Sequence, residues 1–336
     1  MKAAIMHLPG SPLLKEFGVP EVMRAAAIDR FGGPEVLSIH SLPTPVPDKG
    51  EVLIAVDTAG VGSWDADMRQ GWYPSGRPRF PLVLGTDGSG VIAAVGSHMR
   101  RLKVGDEVYS YSFNNPKGGF YAEYVAVLKD NVSTIPKGLD LRHAGAIPTT
   151  GLTALQGVDD ALHIRRGETL IIHGATGGVG SLAIQFAKLR GATVLATALG
   201  DDGLAFVLRL GADKGVDGKR EDIVEAAHSL APGGVDAILA LVGGDALDRC
   251  LDAIKSGGRL AYPNGIEPEP KKRRGVHVTR YDAVAGVREF AALNLAVEAA
   301  KLQVPIAAAY ALGEAAKAHE RLAAGHVLGK IVLRVR

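Results

Sequence analysis

The 336-residue chain, 47% hydrophobic and 22% charged, is longer than one core usually supports, and two domains are expected. Its formal net charge of +2 gives no electrostatic reason to propose a nucleic-acid or membrane-surface partner. Cys250 is the only cysteine; this excludes an intrachain disulfide and a cysteine-based zinc cluster, and it suits a reducing, cytoplasmic setting. No secretory leader and no apolar run of membrane-spanning length is read in the sequence.

The chain opens with a short internal match. Met1-Lys2-Ala3-Ala4 pairs with Met23-Arg24-Ala25-Ala26, and the same offset pairs Gly10 with Gly32 and Pro12 with Pro34. A duplicated opening strand, a true start at Met23 and coincidence all fit this match, and residues 1–22 are read as an N-terminal extension. Beyond it, short β-type runs over 51–56, 90–95 and 107–111 are bounded by Gly, Pro or Asp, so the first half reads as β-rich.

From about residue 148 the rhythm changes. A buried strand over 169–172, helical spacing over 179–190 and a strand over 193–196 make a βαβ unit. Helices around 204–210, 220–230 and 246–255 alternate with strands over 235–242 and 259–262, which implies a parallel sheet covered on both faces. The remainder offers two Ala-rich helical stretches and a closing strand over 330–335, and is expected to return to the first domain.

The strand over 169–172 runs into His173-Gly174-Ala175-Thr176-Gly177-Gly178-Val179-Gly180 and then directly into a helix. A dinucleotide's pyrophosphate is stabilised at a helix N-terminus if no Cβ blocks its approach, and this strand-to-helix context makes the glycines a dinucleotide fingerprint. After the next strand an acidic residue would bind an NAD ribose, and a basic one an NADP phosphate. The tip reads Thr197-Ala198-Leu199-Gly200, followed by Asp201 and Asp202, with no Lys or Arg before Arg209. NADP is favoured by the missing carboxylate and NAD is not excluded. The run Lys271-Lys272-Arg273-Arg274 reads as a solvated loop.

This layout resembles the medium-chain dehydrogenase/reductase superfamily, and within it the zinc-free quinone oxidoreductase (zeta-crystallin-like) branch. The resemblance spans most of residues 23–335. It rests on residues 24–37, on Pro81-Leu82-Val83-Leu84-Gly85-Thr86-Asp87-Gly88, on Val104-Gly105-Asp106-Glu107-Val108 and Gly119-Phe120-Tyr121-Ala122-Glu123-Tyr124, on the glycine turn, and on Gly329-Lys330-Ile331-Val332-Leu333. It implies an α/β protein with a GroES-like β-rich catalytic domain over 1–147, a doubly wound Rossmann cofactor domain over 148–283, and a return to the catalytic domain over 284–336.

Zinc-dependent members carry a Cys after the first Gly-Val and a later Gly-His-Glu. Here those places read Gly60-Val61-Gly62-Ser63-Trp64-Asp65 and Gly85-Thr86-Asp87, so no zinc or other metal is expected. Without a metal to stabilise an alkoxide, the expected reaction is hydride transfer from NADPH to a quinone or an α,β-unsaturated carbonyl.

The resemblance places Asp65, Trp64 and Tyr73 at the acceptor pocket, Tyr73 either as hydrogen-bond donor to the acceptor oxygen or packing at the cleft edge, and Trp64 either shaping the pocket or packing in the core. It places Thr153, Gly174, Thr176, Gly177, Gly178, Val179, Gly180, Thr197, Val242, Gly243, Asn264 and Arg280 at the cofactor. The basic residue that often grips the 2′-phosphate is Gly203 here. A homodimer is implied. The alternatives are an enoyl-thioester or alkenal reductase and a low-turnover cofactor-binding protein of crystallin-like or RNA-binding type; the latter is favoured by Gly62 and Asp67, where the branch often has Asn and Tyr.

Overall fold

The computed structural model describes residues 11–72, 78–97 and 99–336. The first half runs α1 (Pro12–Glu16), β1 (Val22–Ile28), β2 (Ser38–Pro43), β3 (Glu51–Val61), α2 (Ser63–Gln70), β4 (Leu82–Val83), β5 (Asp87–Val95), β6 (Glu107–Tyr111), β7 (Tyr124–Leu128), β8 (Val132–Thr134) and α3 (Leu141–Gly145). The second continues with α4 (Pro148–Gln156), β9 (Thr169–His173), α5 (Gly178–Leu189), β10 (Thr193–Ala198), α6 (Gly200–Arg209), β11 (Lys214–Asp217), α7 (Ile223–Leu230), β12 (Val235–Ala240), α8 (Asp245–Asp252), β13 (Ile254–Pro263) and β14 (His277–Tyr281). Last come α9 (Val287–Ala300), β15 (Ile306–Ala311), α10 (Ala315–Ala323) and β16 (Lys330–Arg334).

Strands β9 to β14 form one parallel sheet in the order β11-β10-β9-β12-β13-β14. This is a doubly wound sheet whose chain order reverses between β9 and β12, where such sheets bind ligands. Alternate residues of each strand feed opposite faces. Leu170, Ile172 and Leu239 pack into one core with residues of α4, α5 and α9, while Ile171, Leu195 and Ile238 pack into another with residues of α7 and α8. Burial on both faces explains why Leu170, Ile171 and Ile172 make β9 a continuous apolar run instead of an alternating one.

In the β-rich half, the larger sheet has the order β15-β16-β3-β5-β6-β8, with β7 also paired to β3. Strand β1 pairs with β2 and β4 in a smaller sheet, so the second copy of the repeated opening is a strand; the first lies outside the described residues. Helix α9 packs on α4 and α5, and only then do β15 and β16 enter the β-rich sheet. Strand β16 links the two halves: Ile331 and Leu333 enter the core of the first, and Val332 that of the second.

Among the strands absent from the sequence reading are β11, β14 and β15. Strand β11 has only four residues, one of them Gly215. The edge strand β14 lacks a buried face, and β15 is Ala-rich, so neither shows the apolar alternation that marks a half-buried strand.

Candidate active site

The turn after β9 needs its glycines for separate reasons. Gly174 has φ +82°, a left-handed conformation that side chains disfavour. A Cβ on Gly180 would lie 2.5 Å from the Gly174 carbonyl oxygen, so this glycine lets α5 pack onto the turn. The N–H groups of Gly178, Val179 and Gly180 open α5 and have no acceptor inside the helix. The Gly174 N–H donates to Thr197 Oγ1 at 3.0 Å. That hydroxyl is also hydrogen-bonded to His173 Nδ1 at 2.9 Å, and burial, then the charge of Arg249, push the imidazole down to about 4.

A cavity of about 560 Å³ lies in front of the turn. Gly174, Thr176, Gly177, Gly178, Val179, Gly180, Thr197, Val242 and Gly243 line it from the parallel sheet, and Val61, Gly62, Trp64, Lys330 and Ile331 line it from the other half. The halves are joined at the turn itself: the Gly329 N–H donates to the Thr176 carbonyl at 2.8 Å, and Gly177 and Gly329 form a parallel bridge.

Lys330 is 5% exposed, and no ion pair among the described residues engages it. Its stem runs beside the start of α5, since a Cβ on Gly178 would lie 3.3 Å from Lys330 Cδ. Its ammonium stands 4.7 Å from the centre of the Trp64 ring, within reach of the attractive face of an indole. Trp64 Nε1 donates to Thr86 Oγ1 at 2.6 Å. The indole lies so close to its own helix start that a Cβ on Gly62 would come within 2.2 Å of Trp64 Cε2. Glycine at 62 thus follows from tryptophan at 64.

Behind Trp64 a buried chain of hydrogen bonds fixes α2. Arg69, a pure donor, contributes Nη1 to His319 Nδ1 at 3.0 Å. The imidazole, pushed down to about 3 by burial and then by Arg69, is neutral with its proton on Nε2. It therefore donates to Tyr121 Oη at 3.1 Å, and Tyr121 donates to Asp65 Oδ2 at 3.3 Å. The same carboxylate oxygen accepts from the Gly62 N–H at 2.9 Å. Burial, then the charge of Asp87, push Asp65 up to about 7. Asp65 is fully buried and does not line the cavity.

Three residues expected at the cofactor do not line the cavity. Thr153 is buried, with its hydroxyl donated to the Thr149 carbonyl, and Thr150 is the α4 residue that reaches the cleft. Asn264 and Arg280 hydrogen-bond each other at the ends of β13 and β14, and Arg280 also pairs with Glu269. Those strands stand two and three places from β9, which carries their tips away from the turn. Tyr73 lies outside the described residues. In the basic run, Lys271 pairs with Asp248 and Arg273 with Asp252, so these two cations are engaged by α8. Lys330, Lys219, Arg249, Thr150 and His326 line the cavity without having been singled out in the sequence; lysine in Gly329-Lys330-Ile331 was the only available signal.

A β-rich half closed over the glycine turn of a doubly wound sheet is the layout of a two-domain dinucleotide-binding protein. Residues 48–137 match the family described as alcohol dehydrogenase GroES-like domain, and residues 210–333 match zinc-binding dehydrogenase. The quinone oxidoreductase of Lama guanicoe is 33% identical over 330 residues, covering 94% of this chain and 98% of its own. The structure of the quinone oxidoreductase from Coxiella burnetii is 34% identical with a TM-score of 0.84, covering 94% of this chain and all of that one (100%). The quinone oxidoreductase of Escherichia coli, solved in complex with NADPH, is 25% identical with a TM-score of 0.82, covering 93% and 100%. The chain belongs to the quinone oxidoreductase branch of the medium-chain dehydrogenase/reductase superfamily.

One matched family is described as zinc-binding, and the residues here do not fit that metal. Among the described residues no three His, Cys, Asp or Glu side chains come together as a ligand set. Asp65 and Asp87 each keep one buried oxygen without a hydrogen-bond partner, but the neighbouring positions are Gly62 and Thr86. Among the described residues no helix is long and apolar enough to cross a membrane.

Proposed function

We propose that this chain is an NADPH-dependent oxidoreductase that reduces a quinone or an α,β-unsaturated carbonyl without a metal. The observation that carries the reading is the anion cradle at the start of α5: open N–H groups, glycines facing the cavity, and beside them the stem of the buried Lys330, which no ion pair among the described residues engages. A pyrophosphate fits such a cradle in charge and in hydrogen-bonding capacity. Reduced nicotinamide supplies the hydride when bound.

The chain's own residues do the rest. Gly177, Gly178, Val179 and Gly180 hold the diphosphate, Lys330 neutralises it, and Thr197 keeps the turn in shape. Trp64, held by Thr86 and by Gly62 beneath it, gives the acceptor a flat apolar wall with Val61 and Ile331 alongside. A planar acceptor with delocalised electrons suits that wall and needs positioning and exclusion of water more than activation. Asp65 acts as a positioning residue through the start of α2. Tyr73 remains the proposed hydrogen-bond donor to the acceptor oxygen on its sequence pattern, and Tyr73→Phe tests it.

The division at residues 147 and 283, a cytoplasmic location and a homodimer belong to the same proposal. The exposed edge strand β14 supports the dimer, since unpaired edges seek partners, and light scattering in solution tests it. Steady-state oxidation of NADPH and NADH against panels of quinones and enones tests the activity. Turnover with NADPH and a quinone is expected, and cofactor binding without turnover on any acceptor contradicts it.

A further inference from the structure

We infer that Lys219, aided by Arg249 and by the pairing of His326 with Asp202, selects NADPH over NADH by taking up the 2′-phosphate of the adenosine ribose. The inference rests on the proposal that the cavity holds a nicotinamide dinucleotide, and it assigns the ribose end of that cavity.

That end is where β10 stops, at Thr197, Ala198 and Leu199. The neighbouring strand β11 is stitched to it, because Asp217 Oδ2 accepts the Gly200 N–H at 2.9 Å. This brings Gly218 and Lys219, which follow β11, onto the wall of the same cavity. Arg249 comes from α8 and donates Nη2 to the Gly218 carbonyl at 2.5 Å, holding the Lys219 loop from the other side. Neither Lys219 nor Arg249 takes part in any ion pair found among the described residues.

The nearby carboxylates are committed elsewhere. Asp217 accepts the backbone N–H groups of Gly200 and Lys219 and pairs with Arg220 at 3.6 Å. Asp201 pairs with Arg220 at 3.2 Å. Asp202 accepts the Gly203 N–H through Oδ1 and His326 Nε2 through Oδ2, the latter at 2.8 Å. His326 belongs to the segment before β16, in the β-rich half, and also lines the cavity. An NAD ribose needs a free carboxylate to accept its hydroxyls. Here the candidate acid is held by an imidazole from the opposite half, and the charges at that end without an ion pair among the described residues are those of Lys219 and Arg249.

The arrangement accounts for Gly203. A cation from α6 would reach the phosphate from one side, whereas Lys219 reaches it from the β11 side, so recognition moves to a different element of the same sheet.

The test is equilibrium binding of NADPH, NADH and the fragments adenosine 2′,5′-bisphosphate and adenosine 5′-monophosphate to the full chain and to Lys219→Gln, Lys219→Arg and His326→Ala. Loss of one charge-assisted phosphate contact in Lys219→Gln weakens NADPH and the bisphosphate by about tenfold or more, with NADH and the monophosphate changed less than about twofold. Lys219→Arg restores NADPH binding, and His326→Ala, by releasing Asp202, shifts the ratio toward NADH. Equal weakening of both cofactors, or none, in Lys219→Gln overturns the assignment while leaving the dinucleotide site standing. If the unaltered chain binds neither cofactor, the dinucleotide reading itself fails and this inference falls with it.

Discussion

The ammonium of Lys330 stands 4.7 Å from the centre of the Trp64 ring, while its stem passes the start of α5, where a Cβ on Gly178 would lie 3.3 Å from Lys330 Cδ. A bound diphosphate competes with the indole for that cation, and cofactor binding is thereby coupled to the acceptor wall. Lys330→Met weakens NADPH and NADH alike, by about tenfold, and lessens the salt dependence of binding. Titration calorimetry at two ionic strengths checks this, and it separates Lys330, which serves both cofactors, from Lys219, which serves one.

The contact between Trp64 and Gly62 predicts a coupled pair. Gly62→Ala forces the indole off its seat and destabilises the fold by roughly 1–3 kcal/mol. In a Trp64→Ala background the added methyl has room, and the same substitution costs little. Denaturant unfolding of the two single variants and the double variant measures the coupling, and additive effects would remove the indole from the explanation of Gly62.

Asp65 gives a signed pH effect. Its carboxyl is raised from 3.8 to about 7 in the fold, so it favours folding fully below pH 3.8, and that contribution is lost as pH rises toward 7. The amount at stake is roughly 4 kcal/mol at the upper end. Asp65→Asn keeps an acceptor for the Gly62 N–H and does not titrate. Its melting temperature relative to the unaltered chain therefore climbs between about pH 4 and pH 7 and is level above, as read by thermal unfolding across that range; a difference independent of pH refutes it.

His319 acts with the opposite sign. Its imidazole is lowered from 6.5 to about 3, so its contribution is complete above pH 6.5 and is lost as pH falls toward 3. The windows overlap, and in the unaltered chain the two effects oppose each other. His319→Gln, which still accepts from Arg69 and donates to Tyr121, leaves Asp65 unopposed, and that variant gains stability relative to the unaltered chain on acidification. The same unfolding series reads both variants.

The glycine turn was legible in the sequence because its requirements are local: a left-handed Gly174, an open Gly177 and a close-packed Gly180 within one strand-to-helix turn. The parallel sheet was legible for a similar reason, since β9 and β12 are apolar runs separated by helical spacing. Contacts made over long separations were not. Arg69 meets His319 across 250 positions, and Lys330 reaches Gly178 from the last strand, so no spacing rule announces either. Asn264 and Arg280 were assigned by pattern, while their distance from the turn follows from strand order, which is a property of the assembled sheet.

The most direct test of the central claim is single-turnover absorbance of NADPH mixed with the full chain and a quinone, compared with Gly180→Val, whose side chain would collide with the Gly174 carbonyl. Loss of the reduced-nicotinamide signal that needs both enzyme and quinone, and that disappears in the variant together with NADPH binding, is the predicted result. NADPH that binds and persists in the presence of every quinone and enone offered would contradict it.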